Sequence, residues 1–180
     1  MKVILALILA LPVFGCLAQT NSVVTNRAAG PLTNEAVKAS AVDDEAELIR
    51  KDCVAHRRFI CGRVMQIVPG GLVVDSGYTS LLKPPAYPSW VVPGNISATR
   101  DAAAVEAVAP DSVCIGQVFI TDFPKRPPVH RYDYVLIHGY PAGEYDYTPL
   151  PGIHKTLRRF AGGVERAVNL NLQARQKKSQ

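Results

Sequence analysis

The chain has 180 residues, a formal net charge of +5 and a hydrophobic fraction of 48%. This length and composition suit one folded domain with an ordinary core. No stretch after residue 18 approaches the length of a membrane span, which excludes a protein built from several apolar transmembrane helices. The excess of positive charge favours solubility and a weak attraction to anionic surfaces, but it identifies no partner.

The first eighteen residues have the pattern of an export signal. Lys2 supplies a positive start, Val3 to Leu11 is an uninterrupted apolar run, and Pro12 breaks it. The run is too short to cross a bilayer as a helix, and Cys16 and Ala18 are the small residues that a signal peptidase reads. We therefore predict cleavage after Ala18 and a mature protein that is periplasmic or extracellular.

The same segment also fits a lipoprotein signal. Val13 to Cys16 resembles a bacterial lipobox, in which Cys16 is lipidated and becomes the mature N-terminus. Phe14 departs from this pattern, since a small residue is usual at its position. Membrane anchoring is expected only under this alternative.

Composition divides the chain into four segments. Residues 1–18 are the signal peptide, and residues 19–42, rich in Thr, Asn, Ser and Ala, have the composition of a flexible linker. Residues 43–163 are expected to form a single β-rich domain that opens with a helix over about 43–55. Residues 164–180 are predicted to be a helical or frayed tail.

Strand signals begin at Phe59. Phe59 to Val68 and Leu72 to Asp75 are apolar and β-branched, and the turn residues between them predict a hairpin. Ser112 to Thr121 predicts a further strand. Ile153 to Phe160 predicts a closing strand after a turn at Pro151 and Gly152.

A second hairpin is predicted around Gly139 to Gly143. This segment contains two glycines and a proline and separates two strand-like runs, Tyr132 to His138 and Glu144 to Thr148. Short strands at this spacing favour a mainly β fold, a small closed barrel of the OB or SH3-like kind, with a short N-terminal helix and a C-terminal helical tail. A compact β-sandwich is the alternative.

Two resemblances accompany this fold prediction. Cys61 to Gly77 resembles the first hairpin of S1-type OB barrels, in its glycine before the strand, its glycine-rich turn and its apolar return strand. The aromatic residues that such domains use to stack bases are not evident on these strands, so no nucleic acid is expected. Through Leu72 to Tyr78 and Gly139 to Gly143, the chain is also similar to short uncharacterised exported proteins of environmental bacteria, which implies a fold unit and no chemistry.

Three cysteines remain in the mature chain. In an oxidising compartment a bridge between Cys61 and Cys114 would tie two predicted strands together, whereas one between Cys53 and Cys61 would close only a short loop. The alternative is three buried, unpaired thiols. No pair has the CxxC spacing of a zinc or redox site.

Two functional hypotheses follow from the remaining residues. A cluster of tyrosines with following basic residues, namely Tyr145, Tyr147, Lys155 and Arg158 with the adjacent Arg159, would give an exported non-enzymatic envelope module a surface for a polymer or protein. Such a module could equally have a structural role.

The alternative is a small hydrolase or metal-dependent enzyme that uses His138, Glu144 and Asp146, with His130 before the same strand. This hypothesis requires that the side chains of His138, Glu144 and Asp146 meet in one pocket. The sequence assigns no catalytic residue, no metal ligand and no cofactor.

Overall fold

The computed structural model describes residues 34–83, 87–100 and 112–178. The predicted signal peptide with Cys16, and residues 19–33 of the predicted linker, lie outside these ranges. No helix within the described ranges combines the length and apolarity that crossing a membrane requires.

The described elements are two helices, six strands and one short 3-10 helix. In chain order they are α1 (Asn34–Ala55), β1 (Arg58–Val68), β2 (Gly71–Ser76), the 3-10 helix (Thr79–Leu82), β3 (Val91–Val92), β4 (Gly116–Thr121), β5 (Tyr134–Leu150), β6 (Ile153–Ala161) and α2 (Val164–Lys178).

The strands form one six-stranded sheet in which five strands are paired in a ring. The order is β1-β2-β4-β6-β5, and β5 pairs back to β1, while the short β3 lies beside β5. The β4–β6 pair is parallel and the other pairs are antiparallel. The predictions of a mainly β protein with an N-terminal and a C-terminal helix are confirmed.

The ring closes because β1 pairs with two neighbours. Its first half, Arg58 to Arg63, pairs with β5, and its second half, from Gly62, pairs with β2. At Gly62 the backbones approach so closely that a Cβ atom would lie 2.8 Å from the carbonyl oxygen of Asp75. Only glycine fits there without moving the neighbouring strand.

The main core lies inside the ring. Alternate residues of the strands point inward, since successive side chains of a strand face opposite sides. The fully buried members are Ile60, Val64, Leu72, Val74, Cys114, Val118, Ile120, Val135 and Phe160.

The two helices pack on each other and on β5 and β6, around a second apolar cluster. Ile49 and Cys53 of α1 contact Ala167 and Val168 of α2, over Ala161 of β6. Arg50 of α1 adds an exposed ion pair with a glutamate of α2 at 2.8 Å. The exposed pair contributes little, so apolar burial holds the helices in place.

Two predictions about element boundaries are wrong. The first helix begins at Asn34 rather than near residue 43, so residues 34–42 of the predicted linker are helical. Gly139 to Gly143 does not turn: β5 continues through it with a bulge between Pro141 and Glu144. The hairpin turn of β5 lies instead at Pro151 and Gly152, where the sequence predicted a turn before the closing strand.

The packing of α1 gives a direct stability test with neighbouring residues. Ile49→Ala should lower the free energy of unfolding by about 2–4 kcal/mol, because Ile49 is only 4% exposed and its removal leaves a cavity. Leu48→Ala should change it by under about 0.5 kcal/mol, because Leu48 is 67% exposed. Urea denaturation measures both values, and equal effects of the two variants would contradict the observed docking of α1.

Candidate functional site

The three residues of the enzyme hypothesis do not converge. His138 lines a cavity with Phe59 on the outer face of β1 and β5, whereas Glu144 lines two other cavities beside the helices. Asp146 accepts a hydrogen bond from the hydroxyl of Thr156 at 3.2 Å. Within residues 34–83, 87–100 and 112–178, no group of three or more His, Cys, Asp or Glu side chains could hold a metal ion. His138, Glu144 and Asp146 therefore form no common site.

The predicted tyrosine surface is divided between two faces of the sheet. Tyr147 lies directly opposite Lys155 on β6, and Tyr145 shares their face of the sheet. Arg158 instead pairs with Glu144, one position out of phase, which places it on the alternate face. The structure thus brings Tyr145, Tyr147 and Lys155 together on one face and separates Arg158 from them.

The two tyrosine rings cover an apolar cluster. Tyr145 stacks on Phe119, with the ring centroids 3.7 Å apart and the planes inclined by 8°. The Tyr147 hydroxyl donates a hydrogen bond to the Gln66 side-chain oxygen at 2.5 Å. Both rings are half-buried against Val73 and Phe119. Their contacts are those of structural aromatic residues on the outer face of the sheet.

This packing predicts a loss of stability when Tyr145 is removed. Tyr145→Ala should lower the free energy of unfolding by about 1–3 kcal/mol, since it removes a stacked ring from a half-buried cluster. Lys155→Ala, on the same hairpin, should change it by under about 0.5 kcal/mol because Lys155 is exposed. Urea denaturation distinguishes the two. A Tyr145→Ala protein of unchanged stability that fails to bind isolated cell-wall material would instead support a binding surface.

The cation–π contacts among the described residues do not involve Tyr145 or Tyr147. The guanidinium carbons of Arg63 and Arg131 lie 4.8 and 4.7 Å from the ring centroid of Tyr132, and that of Arg100 lies 5.0 Å from the ring centroid of Tyr78. Arg131 is the sequence neighbour of Tyr132, whereas the other two contacts join residues distant along the chain, and no spacing rule predicts those two. They link the segment before β5 to β1, and Arg100 to the segment after β2.

The three cysteines described by the structure are free and buried. Cys61 and Cys114 do not form the bridge that the sequence allowed, and Cys53 is also unpaired. Burial raises the pKa of Cys61 to about 11 and raises the pKa of Cys114 as well. Both are therefore protonated and poorly nucleophilic at neutral pH.

A strongly charged concave surface lies between the helices and the β5 bulge, and we call it the basic cleft. It consists of two adjoining cavities of about 560 and 400 Å³ that share Pro141, Gly143, Glu144 and Arg159. Its cationic lining residues are Arg58, Arg158, Arg159, Arg175 and Lys178, with His56 at one end, and its acidic ones are Asp52 and Glu144.

The β5 bulge positions Arg159 in this cleft. Gly143 adopts a positive φ of 84°, a conformation that glycine tolerates, and the carbonyl of the neighbouring Ala142 is turned towards β6. That carbonyl accepts a hydrogen bond from Nε of Arg159 at 2.7 Å. Nη2 of the guanidinium lies 3.6 Å from the position that a Cβ atom on Gly143 would occupy, and Arg159 lines both cavities.

Arg159 carries a positive charge that no described carboxylate neutralises within ion-pair distance. Partial burial lowers its pKa, and the nearby Arg166 lowers it further. The charge is retained even so, because the ordinary pKa of arginine is far above neutral pH. Partial burial and the repulsion from Arg166 both raise the free energy of the charged guanidinium. An anion that enters the cleft would lower it again.

Other charged side chains of the cleft contact either a backbone carbonyl or an oppositely charged partner. Arg158 donates from Nη2 to the Ile115 carbonyl at 2.5 Å, which leaves its charge unneutralised. Arg175 forms an ion pair with Glu45, and Asp52 contacts the His56 ring. The cleft thus keeps more positive than negative charge after its internal pairs are counted.

Sequence reasoning named Arg158 and Arg159 as basic residues of the closing strand, but it missed Arg58 and the α2 residues of the cleft. The consecutive arginines at 158 and 159 lie on a predicted strand, where one of the pair must face each side of the sheet. That alternation separates the two side chains, so it does not predict that both line one cavity. The bulge that joins their two environments is visible only in the structure.

No protein-family model, no curated protein and no solved structure matches this chain. A function must therefore be argued from the chemistry of the site.

Proposed function

We propose that this chain is an exported, non-enzymatic envelope module that binds an anionic polymer in the basic cleft. The observation that carries the proposal is the uncompensated charge of Arg159, half-buried between two connected cavities. Guanidinium groups form two parallel hydrogen bonds with carboxylate or phosphate groups, and such bonds are stronger than neutral ones.

The shape of the cleft favours a polymer over a single small anion. The two cavities adjoin and present cations from β1, β6 and α2 in succession. A chain that carries a negative charge on each repeat could contact several of them at once, which multiplies the effective affinity. Carboxylate and phosphate polymers share this chemistry.

The fold within this proposal is a small closed barrel of the OB kind. The ring order β1-β2-β4-β6-β5, its return from β5 to β1 and the parallel β4–β6 pair support it. We do not propose a nucleic acid as the polymer, because base stacking needs exposed aromatic faces. On the outer face of β4 the ring of Phe119 is covered by Tyr145.

The binding test compares matched charge changes in the mature chain, residues 19–180. We expect labelled polygalacturonate, and polyphosphate in a parallel arm, to bind wild-type protein more tightly than neutral dextran and to dissociate as the salt concentration rises. Arg159→Gln should weaken binding about tenfold, because it removes charge-assisted hydrogen bonds. Arg126→Gln, which removes an equal but exposed charge outside the cleft, should not.

Arg158→Gln provides a second variant, since Arg158 is exposed and its loss leaves the core untouched. Circular dichroism checks that each variant is folded, and fluorescence anisotropy measures the affinities. Equal binding of dextran and the polyanions would contradict the proposal. Equal losses from the Arg159 and Arg126 variants would reduce it to a general effect of net charge.

Export is tested by the mass of the product from a Gram-negative host that expresses the full chain. The expected species is periplasmic and begins at Gln19, or carries a lipid on Cys16 if the lipoprotein alternative holds. Alkylation after denaturation should modify Cys53, Cys61 and Cys114, because all three are free in the fold. An intact precursor dissolved in the cytosol would contradict the export part of the proposal.

A further inference from the structure

A second cavity lies on the outer face of the sheet, where β1 begins and pairs with β5. Phe59 and His138 are directly opposite each other there, with ring centroids 4.8 Å apart and planes inclined by 70°. Leu136 lies on the same face, two residues before His138. The 3-10 helix and the segment 87–90 face these side chains from the other side.

This space, which we call the outer cavity, has two connected parts. One part, of about 310 Å³, has mostly apolar side chains in its lining, and the other, of about 420 Å³, has both apolar and polar ones; we call them the apolar part and the mixed part. They share Phe59 and Leu82. The apolar part is lined by Phe59, Leu81, Leu82, Tyr87, Pro88, Ser89, Trp90 and Leu136. Volumes of this size are typical of sites for small organic ligands.

The mixed part ends in polar groups. Arg57, Ser112 and His138 complete its lining. Arg57 has no described carboxylate within ion-pair distance, so its positive charge faces the cavity without compensation. Partial burial lowers the pKa of His138, and the charge of Arg57 lowers it further, so the imidazole is neutral at neutral pH. One full positive charge therefore lies at one end of an aromatic and aliphatic space.

We infer that the outer cavity binds a single-chain amphiphile, with its alkyl chain between Leu82 and Trp90 and its anionic head group at Arg57. The chain would gain free energy from apolar burial, and the head would gain a charge-assisted hydrogen bond from the guanidinium. A concave space between a sheet face and a 3-10 helix suits one molecule rather than a membrane surface. The site shares no lining residue with the basic cleft and does not depend on the function proposed there.

The chain contains one tryptophan, Trp90, and it lines the apolar part of the outer cavity. Its indole nitrogen donates a hydrogen bond to the Arg126 carbonyl at 2.8 Å, which holds the ring in place. Tryptophan emission therefore reports occupancy of this cavity without a label. Dodecanoate, added below its micelle concentration to the mature chain, should shift the emission saturably.

Head-group and chain controls separate the two parts of the inference. Dodecyltrimethylammonium, which has the same chain and a cationic head, should bind at least about tenfold more weakly than dodecanoate, and acetate should cause no shift. Arg57→Gln should weaken dodecanoate binding about tenfold, and the exposed position of Arg57 leaves the fold intact. Leu82→Ala should weaken both dodecyl compounds. Arg159→Gln, in the basic cleft, should leave dodecanoate binding unchanged.

Several outcomes would overturn the inference. Unchanged emission with dodecanoate, confirmed by calorimetry, would remove the site. Equal affinities of the wild-type and Arg57→Gln proteins would remove the head-group contact, and an unaffected Leu82→Ala protein would place the chain elsewhere. Co-sedimentation with phosphatidylglycerol vesicles that Arg57→Gln abolishes would show a membrane surface in place of a single-molecule site. A loss of polygalacturonate binding by the Arg57 variant would show that the two sites are not separate.

Discussion

The whole arrangement depends on β1, a single strand that must pair with β5 along its first half and with β2 along its second. Gly62 lies at the changeover, and any side chain there would push β1 away from β2 at Asp75. A bulge between Val64 and Gln66 then turns the strand further, as bulges do by increasing the local twist. Ring closure follows from this bending. Closure leaves β1 without a free edge, and its alternating side chains then face the core on the inside and the outer cavity, through Phe59, on the outside.

The bulge in β5 plays the corresponding role for the basic cleft. It frees two carbonyl groups from regular strand pairing, and buried carbonyl groups need new partners. Pro141 accepts hydrogen bonds from the Asn171 amide of α2 at 3.0 Å and from the Cys53 thiol of α1 at 3.3 Å, and Ala142 accepts from Arg159. The helices are thus tied to the irregular point of the sheet. The cleft between them is a consequence of that attachment.

The sequence predicted regular elements well, because local patterns determine them. It predicted irregular elements poorly, because these depend on contacts between distant segments. The first hairpin and the closing strand are determined by local apolar alternation and turn residues, and both are present as predicted. Gly139 to Gly143 contains residues that suit a tight turn or a bulge equally well, and the choice depends on pairing partners distant in sequence. Tyr145 illustrates the same limit for the site. Its alternation with Tyr147 shows a shared face, but only the position of Phe119 on β4 determines that the ring is covered.

The junction between α1 and β1 contributes basic side chains, from residues 56–58, to both the basic cleft and the outer cavity. Arginines at this position are expected to stabilise the C-terminal end of the helix dipole. The helix, however, ends at Ala55, His56 lies in a turn and β1 begins at Arg58, so the side chains of residues 56–58 do not continue one face of the helix. His56 and Arg58 consequently line the basic cleft, while Arg57 lines the outer cavity. The packing of Ile49 and Cys53 against α2 fixes the orientation of α1, and with it the position of residues 56–58 at the end of the helix. The orientation of the charges in both sites therefore rests on an apolar contact between the two helices, at which Ile49 also lines the basic cleft.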